Sequence, residues 1–446
     1  MGLTFLLSFT LMKPVWAFCG FYLAKADTKL YNETSQVILA RDGDRTVITM
    51  ANDFEGDVND FALVVPVPTI IQEDQVNVGD LNILTRLDDF SAPRLVEYFD
   101  PDPCAMQIYE QELGRLSSDG AAPAPAPMAK NEAYGVTIEE SFSVGEYDIL
   151  ILSAKESNGL INWLNDNDYK IPTGANEIVS SYLKNGMKFF VAKVNLEEFD
   201  RGEFQKLRPL QIAYESSKLM LPIRLGMVNA KGDQDLILYL LSPNGQVELT
   251  NYRTVRIPTD ANVPEFVQEE FGDFYSTMFA KDYQANDRNV AFLEYAWDMA
   301  SCDPCSAPIL TPEELRQAGV FWNNEQISGN PWERPTSNTF LTRLHVRYSR
   351  DRFPADLQFQ ETSNQQYFQG RYVINRPFRS EPSDNSKECR EAMNSYRQST
   401  RDRQSKEAQT VAKLTGWNLE DINQKIDYLD DKPIPWWRRL WSFHWK

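Results

Sequence analysis

Histidine is almost missing from this sequence: among 446 residues only His345 and His444 occur. That excludes a metal centre or proton relay built from several imidazoles. His345 falls on an alternating segment, on the face that carries Arg343 and Arg347 and opposite Phe340, Leu344, Val346 and Tyr348, so a general base there is expected among positive charges. The chain also lacks a G-x-S-x-G elbow, an H-E-x-x-H helix, a P-loop and a G-x-G-x-x-G turn. The commonest hydrolase, metalloprotease and nucleotide-binding readings go with them. No segment beyond the N-terminus reaches the roughly 18 uninterrupted apolar residues of a membrane-spanning helix. Positive charge is in deficit, 45 Lys and Arg against 64 Asp and Glu, and a formal net charge of −19 repels phosphate backbones. Nucleic acid is therefore excluded as the main partner.

Five cysteines are present, Cys19, Cys104, Cys302, Cys305 and Cys389, an odd number that leaves one over if the rest pair. Cys302-Asp303-Pro304-Cys305 has the C-x-x-C spacing of redox centres, metal knuckles and simple local disulfides. A redox centre places its attacking thiol at a helix N-terminus, where the dipole lowers the pKa. Here the motif follows a segment expected to be helical, Asn289 to Ala300, and runs into Ser306-Ala307-Pro308. Structural disulfides are the better reading, ahead of a dithiol or of zinc bound with Cys104 and Cys389. The expected pairs are Cys19 with Cys104, and Cys302 or Cys305 with Cys389.

The N-terminal stretch Gly2 to Met12 is apolar, Pro14 breaks it, and Val15-Trp16-Ala17 offers compact residues at the −3 and −1 positions of a signal-peptidase site. Residues 1–17 read as a cleavable export leader, although no Lys or Arg precedes the apolar run. The mature chain is then extracytoplasmic, whether periplasmic, secreted or on the cell surface. Oxidised cysteines fit that compartment.

The expected fold class is α+β, with antiparallel β-sandwich-like modules, packed helices and a helical C-terminal region. Composition shifts divide the mature chain into a β-rich domain 18–115, an Ala/Pro linker 116–132, an α+β domain 133–258 and a mainly helical region 259–446 with a short sheet. Gln36 to Ala40 and Thr46 to Met50 flank an Asp-Gly turn and read as a hairpin. Phe61 to Pro68 is a wholly apolar strand ended by prolines. Helices are expected at Ser157 to Asn165, Ala175 to Lys184, Val267 to Phe279, Ser386 to Leu414 and Leu419 to Leu429, the last capped by Asn418. Thr311-Pro312-Glu313-Glu314 is a capped helix start. Asp235 to Leu241 is expected to pair with Val247 to Thr250 across Pro243-Asn244-Gly245.

Three further features bear on binding. The acidic loop Asn52 to Asp60 offers Asp53, Glu55, Asp57 and Asp60 as oxygen ligands for calcium, but without EF-hand spacing, so a solvated turn is the simpler reading. No other cofactor is expected. Arg343, Arg347, Arg350 and Arg352 could meet an anion, yet on an acidic protein they are expected to pair with local carboxylates. The C-terminus holds Trp436, Trp437, Arg438, Arg439, Trp441 and Trp445, a mixture suited to a lipid surface, a groove on an envelope protein, or the chain's own core.

Several blocks together resemble one bacterial family, DUF2330. They are Cys19-Gly20-Phe21-Tyr22-Leu23-Ala24-Lys25-Ala26, the hairpin, Met50 to Gly56, Val64-Val65-Pro66-Val67-Pro68, Phe99-Asp100-Pro101-Asp102-Pro103-Cys104, Trp163-Leu164 with Tyr169-Lys170-Ile171-Pro172, and Leu341 to Tyr348. The resemblance implies an exported protein of unknown activity and carries over no catalytic residue. The sequence thus points to a structural or binding component of the cell envelope. The competing class is an extracytoplasmic enzyme, either a carboxylate-based hydrolase or a C-x-x-C thiol oxidoreductase; the shortage of motifs weighs against it.

Overall fold

A computed structural model describes residues 21–24, 31–32, 35–51, 54–55, 61–104, 136–166, 174–201, 207–228, 232–302, 307–323, 338–380 and 386–429. The expected leader, the Ala/Pro linker and the aromatic tail lie outside the described residues. The chain divides into two compact units. The first takes residues 1–92, 121–256 and 286–369, and the second 93–120, 257–285 and 370–446.

The two largest sheets lie in the first unit. The larger runs in the order Arg253–Arg256, Val290–Asp298, Phe340–Tyr348, Gln234–Ser242, Ser35–Asp42, Arg45–Ala51, Leu210–Glu215 and Val76–Val78, with Phe368–Gln369 added beside Val290–Asp298. Most neighbours are antiparallel; Gln234–Ser242 lies parallel to Ser35–Asp42. Ser35–Asp42 and Arg45–Ala51 form the expected hairpin, and Gly43 supplies the positive φ its turn needs. The second sheet is antiparallel, in the order Phe21–Ala24, Phe61–Val67, Lys188–Val194, Tyr147–Ala154 and Val136–Val144. Phe61–Val67 is an inner strand despite Pro66. Among the described residues, Phe21–Ala24 pairs with 61–64, a register that stops short of Pro66.

One face of the large sheet carries a core of Ile38, Ala40, Val47, Ile237, Tyr239, Leu241, Tyr295 and Leu341. The helix Leu81–Ser91 covers it with Ile83, Leu84, Leu87 and Phe90. Apolar side chains at i, i+1, i+4 and i+7 make one stripe, and Asp80 caps the helix by accepting from the Asn82 N–H at 2.9 Å. The helix Pro312–Gln317 adds Leu315 and opens with the expected capping box between Thr311 and Glu314.

The second unit holds a parallel sheet, Ala261–Asn262, Arg371–Arg376 and Arg94–Phe99 in that order. Its helices are Phe271–Ala285, Lys387–Thr415 and Leu419–Lys425, the last two capped by Ser386 and Asn418.

Two expectations about elements need correction. Asn289 to Ala300 is not a helix: Val290–Asp298 is an inner strand, buried from Val290 to Ala296. Apolar side chains all round suit a doubly covered strand as well as a buried helix, so periodicity did not separate them. Asp235 to Leu241 does not pair with Val247 to Thr250. Its ladders go to Phe340–Tyr348 and Ser35–Asp42, while Val247–Leu249 pairs with Leu357–Glu361. The helix Leu81–Ser91 stands in a region read as β-rich. The large sheet draws its strands from 35–51, 76–78, 210–256, 290–348 and 368–369. Composition is local, and these strands are joined by hydrogen bonds between residues far apart in the chain.

Candidate functional site

The most concentrated polar chemistry in the first unit lies on three adjacent strands. Asp235 stands opposite Arg347, Ile237 opposite His345, and Tyr239 opposite Arg343. On the other side, Phe292 faces His345 and Tyr295 faces Arg343, with a bulge between Leu293 and Tyr295. The extra residue in that bulge is Glu294, and the irregularity brings its carboxylate between the two basic side chains.

The result is an unbroken ion chain. Asp88 accepts from Arg343 Nη1 at 2.7 Å, and Glu294 Oε2 accepts from Arg343 Nε at 2.6 Å. Glu294 Oε1 meets His345 Nδ1 at 2.9 Å, and His345 Nε2 meets Asp235 Oδ1 at 2.9 Å. Asp235 then takes Nε and Nη2 of Arg347 at 2.8 and 2.6 Å. Tyr239 flanks the chain, its hydroxyl donating to Asp88 at 3.0 Å and its ring lying under the Arg343 guanidinium. Glu294 and Asp235 are 1% and 2% exposed.

Burial opposes a charge on His345, but the adjoining Asp235 and Glu294 carboxylates outweigh it and push the imidazole up to about 9. Burial likewise opposes the Asp235 carboxylate, and His345 with Arg347 holds it down at about 2. Arg343 is raised by Tyr239, Glu294 and Asp88 against the cost of its burial. Three cations, Arg343, His345 and Arg347, thus alternate with three anions. At neutral pH the imidazolium donates from both nitrogens, so it has no lone pair with which to act as a base. The chain instead ties three strands in one register, since a one-residue slip would turn every member to the opposite face.

A second feature of this unit is a cleft of about 580 Å³ lined by Asn77, Asp80, Arg208, Gln211, Arg316 and Gln317, among others. Arg208 is fixed there by Glu146, whose carboxylate accepts from Nε at 3.1 Å and from Nη2 at 2.6 Å, and from the Arg208 backbone N–H at 3.0 Å. The neighbouring Gly145 has φ +57°, and a Cβ there would sit 2.8 Å from Arg208 Nη2 and from Val78 Cγ2. A glycine is required both by the backbone and by the approach of the guanidinium. At the rim, Arg316 pairs with Glu313.

The structure places the expected site residues as follows. Cys104 is bonded to Cys389, 285 positions away in the sequence. Cys104 therefore does not pair with Cys19, nor Cys389 with Cys302 or Cys305. The strand Arg94–Phe99 lies beside Arg371–Arg376 in the second unit, which carries Cys104 toward the start of the helix Lys387–Thr415. Cys302 is also in a disulfide. Cys19 and Cys305 lie outside the described residues. So do Asp53, Asp57, Asp60 and the side chain of Glu55, whose backbone pairs with Tyr31. The tail residues Trp436, Trp437, Arg438, Arg439, Trp441 and Trp445 are outside as well.

His345 is not surrounded by positive charge alone, as the alternation on its own strand suggested. Two carboxylates from the flanking strands separate it from Arg343 and Arg347. Asp88, Asp235, Glu294, Glu146 and Arg208 were not singled out by the sequence. A single acidic residue inside the apolar run Val290 to Trp297 is the signal that could have found Glu294; Asp235, at the edge of its run after Asp233 and Gln234, carries no such mark.

These features define an α+β protein with an ion-paired sheet and a polar cleft. The family model described as "Uncharacterized protein conserved in bacteria (DUF2330)" matches residues 13–360, and the chain belongs to that family. No curated protein matches the chain, and no solved structure does.

Proposed function

We propose that this protein is an exported component of the bacterial cell envelope that binds or supports a partner. The observation that carries the reading is the Cys104–Cys389 disulfide, which closes a loop across 285 positions. Such bonds persist where thiols are not kept reduced. The leader read at residues 1–17 supports the same compartment. The neutralised ion chain favours a rigid scaffold over a reaction centre at His345, because its imidazolium offers no base. The cleft beside Arg208 is a place for a polar ligand. The Trp- and Arg-rich tail, from Trp436 to Trp445, is the second contact, toward an envelope protein or a membrane surface.

Two measurements test this. The intact mass of the protein from its native host, with and without thiol labelling, should correspond to a chain starting at Phe18 with one labelled cysteine. A full-length chain with five labelled cysteines would overturn export and oxidation together. Capture from envelope extracts should be reduced when residues 436–446 are deleted, and retrieval of nothing by the intact chain would overturn the binding reading. Liposomes containing anionic lipid test the membrane reading of the tail: binding that depends on 436–446 assigns a membrane surface, and none removes it.

A further inference from the structure

In the second unit, one stripe of the helix Lys387–Thr415 turns polar side chains inward. Thr400, Gln404 and Glu407 are buried on it, with Ala408 and Val411 following. Glu407 is 4% exposed. Its Oε1 has no hydrogen-bond partner among the described residues, and neither has Arg403 Nε, although the two atoms are 3.5 Å apart. Arg403 already gives Nη1 and Nη2 to Asp100, at 3.1 and 2.7 Å.

The segment Ile426–Leu429 lies along the same helix as a strap. Gln404 holds it from both ends of its amide, donating to the Asp427 carbonyl at 3.0 Å and accepting from the Leu429 N–H at 3.1 Å. Arg401 donates to the Leu429 carbonyl at 2.8 Å. Arg379 bridges Glu265 to the strap, reaching Glu265 Oε1 at 2.9 Å and the Asp427 carbonyl at 2.8 Å. Gln404 stands one turn from Glu407, and Glu265 is one of the charges that act on it.

We propose that Glu407 is a proton-operated latch: protonated, it leaves the strap Ile426–Leu429 fastened to the long helix, and on losing its proton it releases the strap. The balance is one proton leaving the carboxyl for solvent. The carboxylate that remains is buried, with an oxygen that accepts no hydrogen bond among the described residues, and Arg403, the cation beside it, is shared with Asp100. Glu265 from the turn Glu265–Gln268 and Asp100 after the strand Arg94–Phe99 add like charge. Such a group gains from contact with water, and the strap that Gln404 holds one turn away on the same buried stripe is the hydrogen-bonded segment that opens to admit it. Burial first, then Glu265 and Asp100, push the Glu407 carboxyl up to about 7 against the pull of Arg403. The latch therefore works in the neutral range and not at the acidic pH of an ordinary glutamate.

The test is amide hydrogen exchange of the intact chain, followed in peptides covering residues 418–430 and corrected for intrinsic rates. Protection at Leu429 should fall about tenfold in all between about pH 6 and about pH 8, most of it below the Glu407 midpoint and levelling off above it, while peptides of the strand Arg371–Arg376 keep theirs. Glu407→Gln, which cannot ionise, should hold the strap at every pH. Strap protection that is unchanged between about pH 6 and about pH 8 in the natural chain overturns the latch, and so does an equal loss in Glu407→Gln. If Glu407→Gln does not fold, Gln404→Ala replaces it. That chain should show an unprotected strap at both pH values, and a strap still protected overturns the latch.

Discussion

His345 Nε2 and Asp235 Oδ1 meet at 2.9 Å between adjacent strands, and the same imidazole meets Glu294 through Nδ1. One side chain thereby joins three strands, and its protonation becomes part of the fold.

Stability should follow the titration of this pair. The folded pKa of His345 is raised from 6.5 to about 9, so its contribution is complete below about 6.5 and is lost as pH rises through 9. Asp235 is lowered from 3.8 to about 2, so its contribution is present above 3.8 and is lost as pH falls through 2. Urea midpoints should be highest between these limits and decline above pH 6.5. A His345 ring titrating near 6.5 in NMR spectra of the folded protein would contradict the geometry.

Removing one member of the chain should cost more than removing a neighbouring pair. Glu294→Gln leaves Arg343 and His345 short of a buried anion and should destabilise by about 3–5 kcal/mol. Glu294→Leu combined with Arg343→Met should cost less than the sum of the two single changes. Denaturant unfolding of the four proteins forms the cycle, and additivity would show that the two side chains do not act together.

Gly145→Ala should destabilise by about 1–2 kcal/mol from the left-handed backbone alone, and further by displacing Arg208. An unchanged thermal midpoint would rule out the close approach of the guanidinium to Gly145.

The Cys104–Cys389 bond ties the end of the Arg94–Phe99 segment to the first turn of the helix Lys387–Thr415. Replacing both cysteines by Ser should lower stability by about 2–5 kcal/mol. Hydrogen exchange should place the loss in residues 257–285 and 370–429, with Ile237 and Leu341 in the other unit keeping their protection. Equal loss of protection in both units would show that the bond does more than staple its own.

By itself the sequence determined the elements whose causes are local. The Asp-Gly turn fixed the hairpin at Gly43, and the capping pattern fixed the starts at Thr311 and Asn418. The alternation along Phe340–Tyr348 put Arg343, His345 and Arg347 on one face. Each of these depends on residues within a few positions of one another, where propensity and period act directly. Tertiary structure alone decided which strands are neighbours. That choice made Val290–Asp298 an inner strand and turned Glu294 between two basic side chains through a bulge. It also joined Cys104 to Cys389. The reason is physical: a carboxylate becomes the counter-ion of a histidine, or a thiol the partner of another, only when chain topology brings them within a few ångströms. Residues separated by 51 positions, as Glu294 and His345 are, carry no local mark of that meeting.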